Sequence, residues 1–285
     1  MSKLRRRLEE ELKLRGYSEV TIRIYVRAVR KFAEFHGRSP ARLGMEEIRV
    51  YLLHLIAERQ WSRSGVNQAI CALKFFYTQV LDRPYEVSKV HYPKRQRKLP
   101  VVLTEAEVIR LLSATSNLKH QALLMTLYSA GLRLSEALGL QPTDIDSSIM
   151  RIHVRAGKGG KERYAVLSVR LLETLRRYFR LYRPERWLFF GETKAQPMTS
   201  RTAQRLVGIT AREAGLTKRV TAHALRHSFA THLLERGTNL VYIQALLGHQ
   251  WLKSTLIYTH VSQPALSRVP SPLDGLSLPA CPPQP

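Results

Sequence analysis

Acidic side chains are scarce in this sequence. Its 285 residues carry 22 Asp and Glu against 46 Lys and Arg, a net charge of +24. Cysteine is scarcer still: Cys71 and Cys281 are the only two, and they lie far apart in the chain. That excludes a disulfide framework and points to a reducing compartment, the cytoplasm. No apolar run reaches the roughly 18 residues of a membrane span. The N-terminus interleaves Arg5, Arg6 and Arg7 with Glu9, Glu10 and Glu11 and has no apolar stretch behind them, so no secretory leader is expected. Lipidation motifs and internal repeats are absent. The glycine-rich run Gly157-Lys158-Gly159-Gly160-Lys161 lacks the Gly-Lys-Ser/Thr ending that opens a helix, which excludes a phosphate-cradling P-loop.

What is abundant is positive charge. A net +24 repels itself and attracts a polyanion. A membrane surface would be met by one basic amphipathic segment or a lipid anchor. Here the basic residues run along most of the chain, as suits the neutralisation of many nucleic-acid phosphates. At 44% hydrophobic residues the chain can pack a core without a metal or disulfide staple. Its length suggests two domains.

The pattern divides the chain into four parts. Residues 1–82 read as a bundle of four amphipathic helices. Leu4, Leu8 and Leu12 stripe the first. Ser18 caps the second, whose apolar face is taken as Val20, Ile24, Val26, Val29 and Phe32. Residues 45–58 make the third, with Ile48, Tyr51, Leu52 and Leu55. The fourth ends near Leu81 and carries Val66, Ile70, Leu73, Phe76 and Val80. Residues 83–102 read as a linker, punctuated by Pro84, Pro93 and Pro100 and basic at Lys94, Arg95, Arg97 and Lys98. Residues 103–263 form a second, mainly helical domain. Thr104 and Glu107 open it with a capping box, and residues 150–155 and 163–167 alternate like a β-hairpin around the glycine-rich turn. Residues 264–285 hold seven of the 14 prolines and read as a flexible tail. The fold class is therefore mainly α, with a small β-sheet or hairpin in the second domain.

Four places in the second domain bear chemistry. Arg133 stands among Leu132, Leu134 and Ala137 with Glu136 three residues on, which makes either a structural ion pair or a phosphate-binding arginine held by its carboxylate. Lys158 at the hairpin tip is either a solvated loop lysine or a phosphate ligand and proton donor. His223 and Arg226 lie near a helix start behind the cap Thr221, as a surface pair or an anion site. The pair His223 and His227 has zinc-like spacing, but Ala224 stands where a metalloprotease has Glu. Finally Gly248-His249 precedes Tyr258 by nine residues. Tyrosine packs in cores and also serves as a nucleophile toward an activated group.

Taken in order, Arg133 with Glu136, Lys158 in a hairpin, His223-x-x-Arg226, Gly248-His249 and Tyr258 resemble the tyrosine recombinase, or phage integrase, family. The similarity spans nearly the whole chain, and the lean build is similar to the XerC/XerD-like branch. It implies a SAM-like helical core-binding domain at 1–82 and a catalytic domain at 103–263 that clamp duplex DNA. Tyr258 would attack a phosphodiester and form a 3′-phosphotyrosyl link. Arg133 and Arg226 would hold the non-bridging oxygens, Lys158 would protonate the leaving 5′-oxygen, His223 would help deprotonate Tyr258, and His249 would bond the phosphate. Glu136 would orient Arg133. Lys94, Arg95, Arg97, Lys98, Lys161 and Arg163 are expected along the DNA. No metal, ATP or other cofactor is implied, and the assembly would be a homo-tetramer, or a hetero-tetramer with a second recombinase, on two DNA sites in the nucleoid. In relatives the segment after the tyrosine forms a helix that docks on a neighbour. Pro264 follows Tyr258 by six residues here, so a short or different docking element is expected. Three other functions remain open: an accessory DNA-binding protein of the same fold, a type IB topoisomerase and a basic structural protein. The complete set of reactive groups favours the recombinase.

Overall fold

The computed structural model describes residues 3–91, 100–155, 162–249, 251 and 254–258. It divides into two compact units, Met1–Arg97 and Lys98–Pro285.

The first unit is helical. It comprises α1 (Lys3–Leu14), α2 (Glu19–His36), α3 (Met45–Ala57) and α4 (Arg63–Phe75), the last continued by a π-turn at Phe76–Val80. The Ser18 hydroxyl accepts from the Thr21 amide at the start of α2, and Gly37, at φ 62°, closes that helix in the left-handed region where glycine is unstrained. All five residues expected inside on α4 and its extension are buried, as are the four on α3. On α2 the buried stripe is Ile22, Val29 and Phe32, with Val26 packed beside it. Val20 is exposed, because two residues' offset from Ile22 rotates it about 200° around the axis. Tyr77 is fully buried, and its hydroxyl donates to the carbonyls of Pro40 and Leu43 at 2.9 and 3.0 Å. One helical turn, α5 (Tyr85–Ser88), lies within the stretch expected to be linker. It buries Val87 in the same core, so the folded unit runs past residue 82.

The second unit surrounds α11 (Ala222–Glu235), which is buried on nearly every side. Around it are α6 (Glu105–Ser113), α7 (Leu118–Ser129), the single turn α8 (Leu134–Leu138), α9 (Val169–Tyr182), α10 (Ser200–Glu213) and α12 (Leu240–Leu247). The Thr104–Glu107 capping box forms as expected and starts α6. The hairpin is part of a three-stranded antiparallel sheet in the order β1 (Ile145–Asp146), β2 (Arg151–Val154), β3 (Arg163–Val166). Its register pairs Ile152 with Ala165 and Val154 with Arg163. Ile152, Val154 and Ala165 are buried, so the two-residue period also turns Arg163 toward the core. Among the described residues no helix is long and apolar enough to cross a membrane.

Candidate active site

The site begins where α7 ends. Gly131 adopts φ 59°, and a Cβ there would lie 2.3 Å from the Phe229 ring. Only glycine fits both the conformation and the space. The turn delivers Arg133 as the cap residue before α8, with extended backbone at φ −67° and ψ 150°. Arg133 and Glu136 therefore do not share a helical turn, as their spacing suggested. Glu136 reaches back instead: its Oε2 accepts from the Arg133 amide at 2.8 Å, and its Oε1 accepts from the Arg133 guanidinium at 2.8 Å.

Glu136 has a second arginine. Arg163 donates Nη1 to Oε1 at 2.9 Å and Nη2 to Oε2 at 2.8 Å. Its Nε–H donates to the Leu246 carbonyl at 3.0 Å. The sequence leads one to expect Arg163 along the DNA. Its side chain is only 11% exposed, and three of its N–H bonds point inward to protein acceptors.

Arg226, on α11, is buried at 4% exposure. It donates to the carbonyls of Gly131 and Leu247, both at 2.6 Å, and stands 3.8 Å from Glu136. Arg133 is the more open of the pair, 26% exposed, and its Nη2 leans on the Gly248 carbonyl at 3.4 Å. Arg133, Arg163 and Arg226 meet one carboxylate, so the cluster keeps a surplus of 3 − 1 = 2 positive charges.

α12 ends at Gly248 in the left-handed region, φ 61°, which turns His249 back toward the arginines. His249 Nδ1 lies 2.9 Å from the Thr255 hydroxyl, and its ring stacks 6.3 Å from that of Tyr258. Tyr258 closes a 3-10 turn, Leu256–Tyr258, and is 1% exposed in a cluster with Phe229, Ala230, Ile243 and Leu247. Its hydroxyl lies 3.1 Å from Nδ1 of His227. His223, one turn earlier on α11, is exposed.

The electrostatics follow from this crowding. Burial alone would raise the Glu136 carboxyl, but the hydrogen bonds from Arg163 and Arg133 outweigh it and hold it at about 2. Burial, then the Arg133 charge, lowers Arg226 to about 10, so it stays cationic at neutral pH. Burial lowers His227 to about 4, helped by His223 and Arg226. His249 falls to about 4 by burial and the charges of Arg226 and Arg133. Both imidazoles are therefore neutral at pH 7. Burial raises the Tyr258 phenol, while Arg226 and Arg133 pull it back down.

The fold thus brings together Arg133, Glu136, Arg226, His249 and Tyr258 from segments spread over 125 residues. Lys158, Lys161, Lys94, Arg95, Arg97, Lys98 and the proline-rich tail lie outside the described residues. Two neighbours were not foreseen. Arg163 could have been found from its place in register with the inward Ala165 and Leu167. His227 stands out in the sequence only by its zinc-like spacing from His223, and nothing local links it to Tyr258.

Known proteins resemble this chain over nearly its whole length. Residues 101–264 match the phage integrase family, and residues 4–87 match the phage integrase N-terminal SAM-like domain. An integrase/recombinase of Sinorhizobium fredii is 41% identical over 286 residues, covering 100% of this chain and 93% of the relative. Tyrosine recombinase XerA of Pyrococcus horikoshii is 38% identical over 256 residues, 88% of this chain and 86% of the relative. Among solved structures, a lambda integrase dimer bound to a COC′ core site superposes with a TM-score of 0.72 at 20% identity, over 88% of this chain and 95% of that one. At that identity the likeness is one of fold.

Proposed function

Because the chain belongs to the phage integrase family of tyrosine recombinases, we propose that it cuts and rejoins duplex DNA at specific sites through a covalent link on Tyr258. The observation that carries this reading is the surplus of positive charge beside the Tyr258 hydroxyl. Arg133 and Arg226 are held by backbone carbonyls and Glu136 and keep N–H groups for a phosphate.

The Tyr258 oxygen attacks the scissile phosphorus. A 3′-phosphotyrosyl bond forms, and the bond from phosphorus to the 5′-oxygen breaks. Charge grows on the non-bridging oxygens, where Arg133 and Arg226 oppose it with groups already in place. The phenol proton passes to a histidine. His223 is the base that the resemblance implies, and His227 is the one hydrogen-bonded to Tyr258 in this chain. His249 donates to the phosphate. Lys158 is proposed as the acid for the 5′-oxygen on the resemblance alone. Rejoining runs the same steps backwards, so the phosphotyrosyl bond retains the energy of the phosphodiester and no ATP or metal enters. Tyr258 is buried, so attack requires residues 254–258 to shift relative to α11. Residues 1–82 and the basic run 94–98 are proposed to add phosphate contacts, and four protomers to assemble on two duplexes in the cytoplasm.

The test is covalent trapping on nicked suicide duplexes that carry the flanks of the protein's own gene. Wild type is expected to yield an SDS-resistant adduct, and Tyr258→Phe to bind the duplex without forming one. An adduct on the Phe variant refutes the nucleophile. Retention of DNA with no adduct from wild type favours an accessory binding protein.

A further inference from the structure

Glu136 is saturated. Each carboxylate oxygen accepts two hydrogen bonds, one from Arg133 and one from Arg163. Four donors fill its four lone-pair sites and leave it one orientation. Arg163 supplies half of them in a two-point fork. Through Nε–H it also holds the Leu246 carbonyl, and so ties β3 to the end of α12. Gly248 gives this side chain its path, because a Cβ there would lie 2.9 Å from Arg163 Cδ. The third charged group facing Glu136 is Arg226, at 3.8 Å. A carboxylate released from Arg163 would turn onto Arg226 and neutralise the charge meant for phosphate.

We propose that Arg163 is a positioning residue for strand cleavage, which keeps Glu136 hydrogen-bonded to Arg133, stops it from turning further onto Arg226, and fixes the turn that carries His249. This inference rests on the recombinase reading above. It differs from a role for Arg163 as a DNA contact, because the guanidinium acts through protein groups and not through phosphate.

The experiment uses the full-length chain and single-turnover adduct formation on the same suicide duplexes, with Arg163→Gln and Arg163→Lys, each also in a Glu136→Gln background. Arg163→Gln is expected to slow adduct formation about 100-fold, the scale of a misplaced catalytic group. DNA affinity and its salt slope should stay at wild-type values. Lys, which keeps the charge but cannot bridge both oxygens, should restore part of the rate. In the Glu136→Gln background the Arg163→Gln step should cost less than about threefold, since both changes break one unit. The Arg163→Gln rate should also fall at a higher pH than the wild-type rate as pH is lowered, because Glu136 loses donors that keep it ionised. Simple loss of folding would lower the rate equally at every pH and lower the melting temperature of the Lys variant too.

Three results overturn the inference. They are a wild-type rate for Arg163→Gln, a full rate loss that persists in the Glu136→Gln background, or a salt slope lower by about one with an unchanged rate at saturating DNA, the mark of a phosphate contact. Absence of an adduct from wild type overturns the recombinase reading and this inference with it. A wild-type adduct matched by Arg163→Gln overturns this inference alone.

Discussion

Gly131→Ala tests the joint on which the site depends. The residue sits at φ 59°, and a Cβ would lie 2.3 and 2.6 Å from two Phe229 ring carbons and 3.2 Å from Leu247. The left-handed backbone costs a non-glycine residue roughly 1–2 kcal/mol. Overpacking a closed site adds roughly 1–3 kcal/mol. Phe229 cannot relieve it by swinging away, because the ring is buried against Ala230, Ile243, Leu247 and Tyr258. The expected destabilisation is therefore roughly 2–5 kcal/mol, all within the second unit. Urea unfolding in a Trp61→Phe background reads it directly: of the three tryptophans only Trp187 and Trp251 then remain, both in the second unit. The same substitution displaces the Gly131 carbonyl that anchors Arg226. At low urea, where the variant is still folded, adduct formation should fall about 100-fold. A loss of stability below about 0.5 kcal/mol, the range of an ordinary surface change, refutes the argument from backbone and packing. A stable loss of several kcal/mol with full cleavage would detach Gly131 from the placement of Arg226.

Three further outcomes follow from the same geometry. In NMR titrations of the DNA-free protein, His227 and His249 should protonate near pH 4 and not near 6.5; midpoints near 6.5 would show that burial does not govern them. Their neutral forms contribute stability that is complete above about pH 6.5 and lost as pH falls toward 4. Glu136, depressed from 4.5 to about 2, contributes stability that is complete above pH 4.5 and lost as pH falls toward 2, roughly 3 kcal/mol in all. The stability gap between wild type and Glu136→Gln should close over that window, and a gap constant with pH would reject the ion pairs as its source. Tyr77→Phe removes the donor shared by the Pro40 and Leu43 carbonyls and should cost the first unit roughly 1–3 kcal/mol in calorimetry; an unchanged transition would show that those carbonyls have no need of it.

How far the sequence discloses this molecule depends on how local each signal is. The stripes of α3 and α4 and the Thr104–Glu107 box are written within one or two turns, and they fold as their spacing predicts. The stripe of α2 misleads because apolar residues occur on both sides of it; which side wins is decided by where α4 and α1 pack. Arg133 and Glu136 pair as their spacing suggests, but through a cap and not along a helix, since the left-handed turn at Gly131 sets the backbone before α8 begins. His227 meets Tyr258 across 31 residues, a contact that exists only once α11 and the final turn have packed together.

Arg163 is the instructive case. Its charge suggests a solvent-facing, DNA-seeking side chain, while its register with Ala165 and Leu167 puts it on the inner face of β3. In a half-buried strand the two-residue period is the stronger constraint, since a slip of one residue would bury Tyr164 and expose Ala165. An arginine held on that face has to find a carboxylate, because an unpaired buried guanidinium would cost several kcal/mol. Glu136 is the only acidic side chain among the described residues that the fold brings to it. Charge pattern and strand period, read together, therefore put Arg163 inside and in need of a carboxylate, and the fold supplies Glu136; Arg163 and Arg133 take its hydrogen bonds, and Arg226 stands 3.8 Å away without one.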